Sequence, residues 1–273
     1  MQKILKQAKS HQKRKEWKKA VSFYEMLFND KSENLSDKVY TDYAKCLRIA
    51  GNTNKAETIL IEGREIYFES ETILRELYRL YDASQKWNNA LRTSKELINL
   101  NPTQANYYFL SGRAYSVLKD QVSALNSYEK GLEYKHDMNI DSIIKMVQQG
   151  FTQDPKNVST EYVFADGFNN YGAFIHHYNN KKYFTKISRS TKGSKREELF
   201  YSDICQSFPI LKDVVPKFID SQFIDNILYL TIEFIEEASE KADDIIDIVK
   251  ATQKISSVRY NDLIDKYPNP NYL

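Results

Sequence analysis

Apolar residues recur at helical spacing through roughly the first 150 residues and then alternate with polar ones. In the helical part, four alanines each follow a short polar segment and begin an apolar pattern. They are Ala20, Ala56, Ala90 and Ala124, at spacings of 36, 34 and 34 residues. A second helical pattern precedes each of the last three. The sequence therefore predicts four helical hairpins built on one repeat.

Large and small residues alternate within each hairpin, most clearly in the fourth, which has Tyr108, Gly112, Tyr115, Ala124 and Tyr128 in that order. A small residue lets two helices approach closely, and the large residues fill the gaps beside it. This order resembles the tetratricopeptide (TPR) family. The resemblance implies an all-α solenoid of four TPR-like hairpins over residues 1–137, followed by a capping helix and linker over residues 138–153.

The third hairpin departs from the family pattern, because Tyr78 stands where a small residue is usual. The alternative to a repeat array is a non-repetitive helical bundle. Three nearly equal spacings argue against that alternative.

From Asp154-Pro155 the pattern changes to the period of β-strands. The order of elements is three strands, a helix for which Ser194 is a plausible N-cap, two strands and a further helix. Helices and strands are segregated, so the sequence predicts an α+β unit with a five-stranded antiparallel sheet. The chain is therefore expected to be multidomain, with a helical solenoid first and this unit second.

Four features of the α+β unit fall at characteristic places. Gly167 and Gly172 bracket the turn between the first two strands, with Asn169 between them. Lys186 lies on the third strand and Glu197 on the helix after it. A hinge-like segment follows the fifth strand at residues 232–238. This order resembles the N-lobe of the protein-kinase-like superfamily over residues 158–237, and in particular its aminoglycoside and choline kinase-like branch.

The resemblance implies a binding site for ATP with Mg²⁺. The two glycines and the lysine would face the phosphates, the glutamate would orient the lysine, and two backbone segments would bond adenine. The implied nucleotide-binding residues are Gly167, Gly172, Lys186, Glu197, Glu233 and Ile235. Asn169 replaces the middle glycine of the family's phosphate loop, which is a departure from its pattern.

Glu198 is the alternative partner of Lys186. Glu197 is preferred because Phe200 and Tyr201 follow it by three and four residues, on the same helical face. Apolar neighbours on that face would seat the helix against the sheet. Phe184 and Lys186 are expected on one face of the third strand, and that face should line the cleft.

The sequence contains no H-x-D-x-x-x-x-N and no D-F-G pattern, so no catalytic residue is assigned in this chain. Residues 238–273 are expected to be the hinge and the start of a truncated C-lobe. The predicted function is a TPR scaffold attached to an ATP-dependent phosphotransferase domain for a small-molecule, sugar or glycan hydroxyl. The alternative is a non-catalytic interaction scaffold with a pseudokinase-like adaptor lobe.

Charge is unevenly distributed although the formal net charge is only +2. The first 19 residues hold eight Lys or Arg and one acid, Glu16. The basic first hairpin is either a solvated helix face or a site for an anionic partner. A protein or peptide partner is expected on the concave face of the repeats. Nucleic acid is not expected as a partner, because the tyrosines fall at core positions of the repeats.

The remaining composition favours a cytoplasmic protein. The N-terminus has no apolar signal core, and no apolar run is long enough to span a membrane. Two distant cysteines, Cys46 and Cys205, suggest a reducing compartment, and no metal-ligand spacing is present. His176 and His177 are adjacent on a strand, point to opposite faces and are expected at the surface.

Overall fold

The chain divides into two compact units, Met1–Gly131 and Leu132–Leu273. A computed structural model describes residues 2–30, 35–165, 167, 169–212 and 215–234. Ile235 and the predicted region 238–273 lie outside the described residues. The division between the units falls inside the eighth helix, a few residues before the predicted end of the repeats at residue 137.

The N-terminal unit is built from antiparallel helix pairs, one pair for each predicted repeat. Through residue 136 the described helices are α1 (Gln2–Lys13), α2 (Trp17–Asn29), α3 (Asp37–Ile49), α4 (Thr53–Ile66), α5 (Glu71–Ala83), α6 (Trp87–Leu100), α7 (Ala105–Val117) and α8 (Gln121–His136). The four repeat alanines are fully buried, each on the second helix of its pair. The predicted TPR-like hairpins are therefore confirmed.

Close approach of two helices explains the glycine in the fourth repeat. A Cβ atom at Gly112 would lie 2.5 Å from ring carbons of Tyr128, which is buried on the facing helix. Only a residue without a side chain leaves room for this ring. The alternation of small and large residues in the sequence thus corresponds to direct contact between α7 and α8.

Contacts between successive repeats explain the tyrosine that departs from the family pattern. The hydroxyl of Tyr78 donates to the carbonyl oxygen of Leu110 in the next repeat at 2.8 Å. The ring is buried, so the hydrogen bond satisfies a phenol that would otherwise be costly to bury. Ion pairs also join successive repeats: Lys55 contacts Glu25 at 2.5 Å, and Lys86 contacts Glu57 at 2.6 Å.

The described part of the C-terminal unit forms the predicted antiparallel sheet. The strands are β1 (Ser159–Val163), β2 (Asn170–Tyr178), β3 (Lys181–Arg189), β4 (Phe218–Ile224) and β5 (Ile227–Glu233), in the spatial order β1-β2-β3-β5-β4. Two hairpin turns carry paired residues with positive φ, Asn179-Asn180 and Asp225-Asn226. Asn and Asp tolerate this conformation better than other residues with side chains.

Between β3 and β4 lies an interrupted helix. It begins with α10 (Lys192–Leu199), widens to a π-helical turn at Phe200–Ile204 and ends as α11 (Cys205–Ser207). After the extended residue Phe208, the short helix α12 (Pro209–Lys212) follows. The N-cap of α10 is Thr191, and the prediction of Ser194 is wrong. Ser194 is the third helical residue of a capping box, in which each of the two side chains bonds the other's backbone. A serine three residues inside a helix can therefore be mistaken for the cap.

One face of the sheet is covered by α9 (Ile140–Phe151), the helix predicted to cap the repeats. Gln222 on β4 donates to the Val147 carbonyl oxygen at 3.4 Å, and the ring of Phe151 lies 5.0 Å from that of His176. The predicted role of α9 as a cap of the repeat stack stays a prediction. Its contact with the sheet places it in the C-terminal unit.

His176 is fully buried, so the prediction of a surface position is wrong for this residue; His177 is exposed. A chain of hydrogen bonds crosses the sheet beneath α9. Gln148 Nε2 donates to Thr160 Oγ1 at 2.6 Å, and the two ring nitrogens of His176 lie 2.7 Å from the hydroxyls of Thr160 and Thr185. Thr185 contacts the hydroxyl of Thr231 at 2.7 Å. The alternation of side chains along the strand correctly placed the two histidines on opposite faces of the sheet. It did not predict which of these faces a helix covers.

None of the helices in the described ranges has both the length and the apolar stretch that crossing a membrane requires. The same residues contain no group of three or more His, Cys, Asp or Glu side chains placed to hold a metal ion. Cys46 and Cys205 are free and buried, and burial raises the pKa of their thiols to about 12 and about 11. Both thiols therefore stay protonated at neutral pH.

Candidate functional site

Lys186 and Glu197 form the ion pair that their positions predicted. Lys186 Nζ on β3 lies 2.8 Å from both carboxylate oxygens of Glu197 on α10. The competing residue Glu198 turns to β4, where it accepts a hydrogen bond from Ser221 Oγ at 3.0 Å. The structure thus distinguishes the two neighbouring glutamates by the strand that each one faces. Both members of the Lys186 pair are partly exposed, with side chains 25% and 33% accessible.

The ion pair lies at one side of a cavity of about 390 Å³, which we call the Lys186 cavity. Its walls come from the β1–β2 turn, β3, β5 and the interrupted helix. They are formed by Phe164, Ala165, Asn170, Phe184, Lys186, Glu197, Tyr201, Leu230 and Ile232. The cavity therefore combines one fixed ammonium–carboxylate pair with aromatic and aliphatic walls. This composition is typical of small-molecule sites.

The two predicted glycines shape the turn beside the cavity without lining it. Gly167 has φ of +134° and Gly172 has φ of +98°, a region that residues with side chains rarely adopt. A Cβ atom at Gly172 would also lie 2.6 Å from the ring of Tyr162. In the structure these glycines allow a backbone conformation beside the cavity that other residues rarely adopt, and their contact with phosphate stays a prediction.

Of the two residues whose backbones were predicted to bond adenine, the structure describes one, Glu233. The N–H of Glu233 donates to the carbonyl oxygen of Lys217 at 2.8 Å, so this donor is already used. Glu233 does not line the Lys186 cavity, and its predicted contact with adenine stays a prediction. The second backbone contact, at Ile235, falls outside the described residues. Phe184, the predicted apolar wall, does line the cavity.

Tyr201 is a cavity residue that the sequence analysis used but did not assign. It lies in the π-helical turn directly after α10, four residues beyond Glu197. Burial raises the pKa of Tyr201, and the carboxylate of Glu197 adds to the effect. The phenol therefore stays neutral and keeps a proton to donate. Its spacing from Glu197 was the available signal, because residues four apart share a helical face.

A second concave region lies in the N-terminal unit, between the first helices of the first two repeats. This basic groove has a volume of about 350 Å³ and is lined by Lys9, Gln12, Lys13, Trp17, Lys38, Asp42 and Lys45. Four lysines thus meet one carboxylate, and Asp42 accepts a hydrogen bond from Gln12 at 3.1 Å. The groove carries net positive charge at the hairpin whose sequence is strongly basic.

Further along the same unit, positive charges are matched by carboxylates. Arg48 Nε donates to Glu76 at 2.8 Å, and Arg113 Nη2 donates to Asp82 at 2.8 Å. Glu76 is buried and also contacts Arg79 at 3.3 Å. These pairs join the first helices of the second, third and fourth repeats. The excess of lysine is therefore a feature of the basic groove rather than of the repeats in general.

No protein-family model and no curated protein sequence matches this chain. Solved structures do match it. A TPR protein from Parabacteroides merdae is 17% identical, with TM-score 0.46, over 48% of this chain and 52% of that protein. The MamA structure MSR-1 C2 is 18% identical over 48% and 74%, with TM-score 0.42. YrrB, a TPR protein with an unusual peptide-binding site, is 14% identical over 48% and 66%, with TM-score 0.43. The assignment of TPR-like hairpins depends on the repeat spacing and packing described above.

Proposed function

We propose that the C-terminal unit is a nucleotide-binding lobe of the kinase-like type, which binds ATP with Mg²⁺ in the Lys186 cavity. The observation that carries this proposal is the ion pair, in which Lys186 Nζ is 2.8 Å from both oxygens of Glu197. An ammonium group has three N–H donors, and two of them can serve the carboxylate. The third is then held in a fixed direction and can donate to a phosphate oxygen.

The walls of the cavity support the same ligand. Phe184, Leu230 and Ile232 give an apolar surface against which the flat adenine ring can pack. The neutral phenol of Tyr201 supplies a further donor on the side of Glu197. In the described part of the cavity, Glu197 is the only lining carboxylate and is engaged by Lys186. Mg²⁺ would therefore be held there mainly by the phosphates that it accompanies.

The activity that we propose for such a lobe is phosphoryl transfer from ATP to a hydroxyl group of a small molecule, a sugar or a glycan. In this reaction Lys186 positions the phosphates and Glu197 keeps the lysine in place. The alternative function is a non-catalytic adaptor, in which the lobe serves only as a binding surface. Nucleotide affinity separates the two functions, because an adaptor has no need of an intact Lys186 pair.

Calorimetric titration with ATP and Mg²⁺ tests the nucleotide proposal. The wild-type chain is expected to bind, and Lys186→Ala should weaken binding about ten- to a hundredfold, because a hydrogen bond to a charged group contributes about 1.5–3 kcal/mol. Lys181→Ala is the matched control, since Lys181 is an exposed lysine on the same strand. Absence of binding by the wild type at millimolar ATP would favour the adaptor function.

We propose for the N-terminal unit that it binds an acidic segment of a partner protein. The carrying observation is the basic groove, where four lysines and the Trp17 side chain meet a single aspartate. Acidic side chains would neutralise the lysines, and Trp17 offers an apolar contact beside them. The proposal places the partner at the first two repeats, on one identified groove of the solenoid.

Binding of a fluorescent polyglutamate peptide, measured by anisotropy, tests this location. Lys9→Glu combined with Lys45→Glu should lower the affinity at least about tenfold, because each change replaces an attraction with a repulsion. Lys3→Glu combined with Lys6→Glu makes the same total charge change at exposed positions of α1 that do not line the groove. An equal loss in both variants would show that the peptide responds to net charge alone, and would contradict a specific groove.

A further inference from the structure

A third concave region lies in the C-terminal unit, on the side of α10 away from Lys186. This α10 pocket has a volume of about 540 Å³, larger than the Lys186 cavity. It is lined by Ser190, Lys192, Lys195, Arg196, Glu198, Leu199, Phe223 and Asn226. One wall is therefore the outward face of α10, and the other is the tip of the β4–β5 hairpin.

Hydrogen bonds fix the two walls of the α10 pocket relative to one another. The N–H of Ser190 donates to the carbonyl oxygen of Asn226 at 2.7 Å, which joins the start of the helical segment to the hairpin tip. The capping box of Thr191 and Ser194 holds the first turn of α10. Glu198 at the other end accepts from Ser221 on β4. The pocket is thus formed by tied elements and not by a loose loop.

The lining of the α10 pocket is cationic and apolar at once. Lys192, Lys195 and Arg196 are exposed and follow one another along the outward face of the helix. Glu198, the only carboxylate among the described residues of the lining, is engaged by Ser221. Phe223 is 45% exposed, although it is a large aromatic residue on a strand, and Leu199 lies across from it in the same pocket. No part of the proposed nucleotide or polyglutamate binding uses these side chains.

We infer that the α10 pocket is a docking site for a short acidic segment of a partner protein that carries an aromatic or large aliphatic side chain. Three cations select for carboxylates by charge complementarity. Phe223, which is exposed, and Leu199, which is partly buried, select for an apolar side chain between them, because an inorganic anion would leave this surface in water. A peptide supplies both groups in one chain. This docking site stands independently of ATP binding and of the basic groove.

Fluorescence anisotropy with two labelled peptides tests the inference on the full chain. The first peptide has a central Phe between runs of Glu, and the second has Ser in place of the Phe. We expect the Phe peptide to bind the wild type more tightly than the Ser peptide. Lys195→Glu combined with Arg196→Glu should weaken its binding at least about tenfold. Phe223→Ser should remove the difference between the two peptides.

Two controls make each outcome decisive. Lys181→Glu combined with Lys182→Glu makes the same total charge change at exposed positions outside the pocket and should leave binding of the Phe peptide unchanged. Circular dichroism should show that every variant keeps the wild-type fold. The inference is overturned if the Phe peptide does not bind. It is equally overturned if Lys9→Glu with Lys45→Glu abolishes binding while the pocket variants do not, or if a single-stranded oligonucleotide displaces the peptide at lower concentration than an unlabelled copy.

Discussion

His176 is the buried titratable residue with the most complete set of partners in the described sheet. Its ring lies between the rings of Phe151 and Phe174, and each nitrogen contacts a threonine hydroxyl. A neutral imidazole matches these partners, because one nitrogen donates and the other accepts. Burial, with a smaller contribution from the neighbouring His177, lowers the pKa of His176 to about 4. The folded protein therefore holds this histidine neutral.

This environment predicts an acid-dependent loss of stability. Between pH 6.5 and about 4 the unfolded chain protonates His176 and the folded chain does not, so unfolding is favoured as the pH falls. The free energy of unfolding therefore keeps its full value above pH 6.5 and is about 3 kcal/mol lower at about pH 4, since each pH unit corresponds to about 1.4 kcal/mol.

Urea unfolding across this interval measures the effect. His176→Gln should flatten the dependence of the unfolding free energy on pH, whereas His177→Gln should leave the wild-type slope, because His177 is exposed. Equal slopes in the wild type and in His176→Gln would show that burial does not control the titration of this residue.

For single residues, the sequence analysis predicted the Lys186–Glu197 ion pair but not the burial of His176 or the hydrogen bond of the Glu233 N–H. The resemblance to the kinase-like N-lobe implied that Lys186 pairs with a glutamate of the following helix, and helical spacing favoured Glu197 over Glu198. The burial of His176 was not predictable in this way, since it depends on α9, a helix assigned from its sequence to the repeats. The hydrogen bond from the Glu233 N–H to the Lys217 carbonyl oxygen depends on the register between β4 and β5, which local sequence patterns do not predict.

Helices in the N-terminal unit approach one another where the repeat has its smallest residues. In the fourth repeat, a Cβ atom at Gly112 would lie 2.5 Å from the buried ring of Tyr128, and one at Gly131 would lie 2.5 Å from the ring of Phe109. Helix α10 in the other unit offers a contrast, because a Cβ atom at Gly193 would have only Thr191 Oγ1 within 4 Å, at 3.6 Å. Gly112 and Gly193 therefore differ in available space.

Parallel Gly→Ala substitutions test this difference. Gly112→Ala should destabilise the N-terminal unit by about 1–3 kcal/mol, because the added methyl group forces apart a packed core. Gly193→Ala should be neutral or stabilising by up to about 1 kcal/mol, because alanine is the better helix former. Thermal melts followed by circular dichroism give both values. A wild-type melting temperature for Gly112→Ala would contradict the close packing of α7 on α8.

The order and type of the elements followed from periodicity, whereas their ends required tertiary information. The repeat alanines located the second helix of every hairpin, and alternation located all five described strands. The N-cap of α10 could not be chosen between Thr191 and Ser194 from residue type alone, because both side chains take part in the capping box. The π-helical turn that brings Tyr201 to the cavity has no distinct signature in the sequence.

On the scale of the whole molecule, the described residues form three concave surfaces, two of them rich in lysine or arginine. The basic groove belongs to the repeats, and the Lys186 cavity and the α10 pocket belong to the C-terminal unit. Helix α10 contributes Glu197 to one side and its cationic face to the other. The two compact units thus separate the proposed recognition of a partner by the repeats from the proposed binding of a nucleotide.

The central claim is that ATP phosphates contact Lys186, and site-resolved chemical labelling tests it most directly. An acyl-phosphate derivative of ATP transfers its acyl group to a nearby lysine amine, with ATP as the leaving group, and mass spectrometry then identifies the modified residue. The account predicts preferential modification of Lys186 over the exposed Lys181, suppressed by excess ATP with Mg²⁺ and reduced in Glu197→Ala. Equal labelling of both lysines without protection by ATP would contradict it.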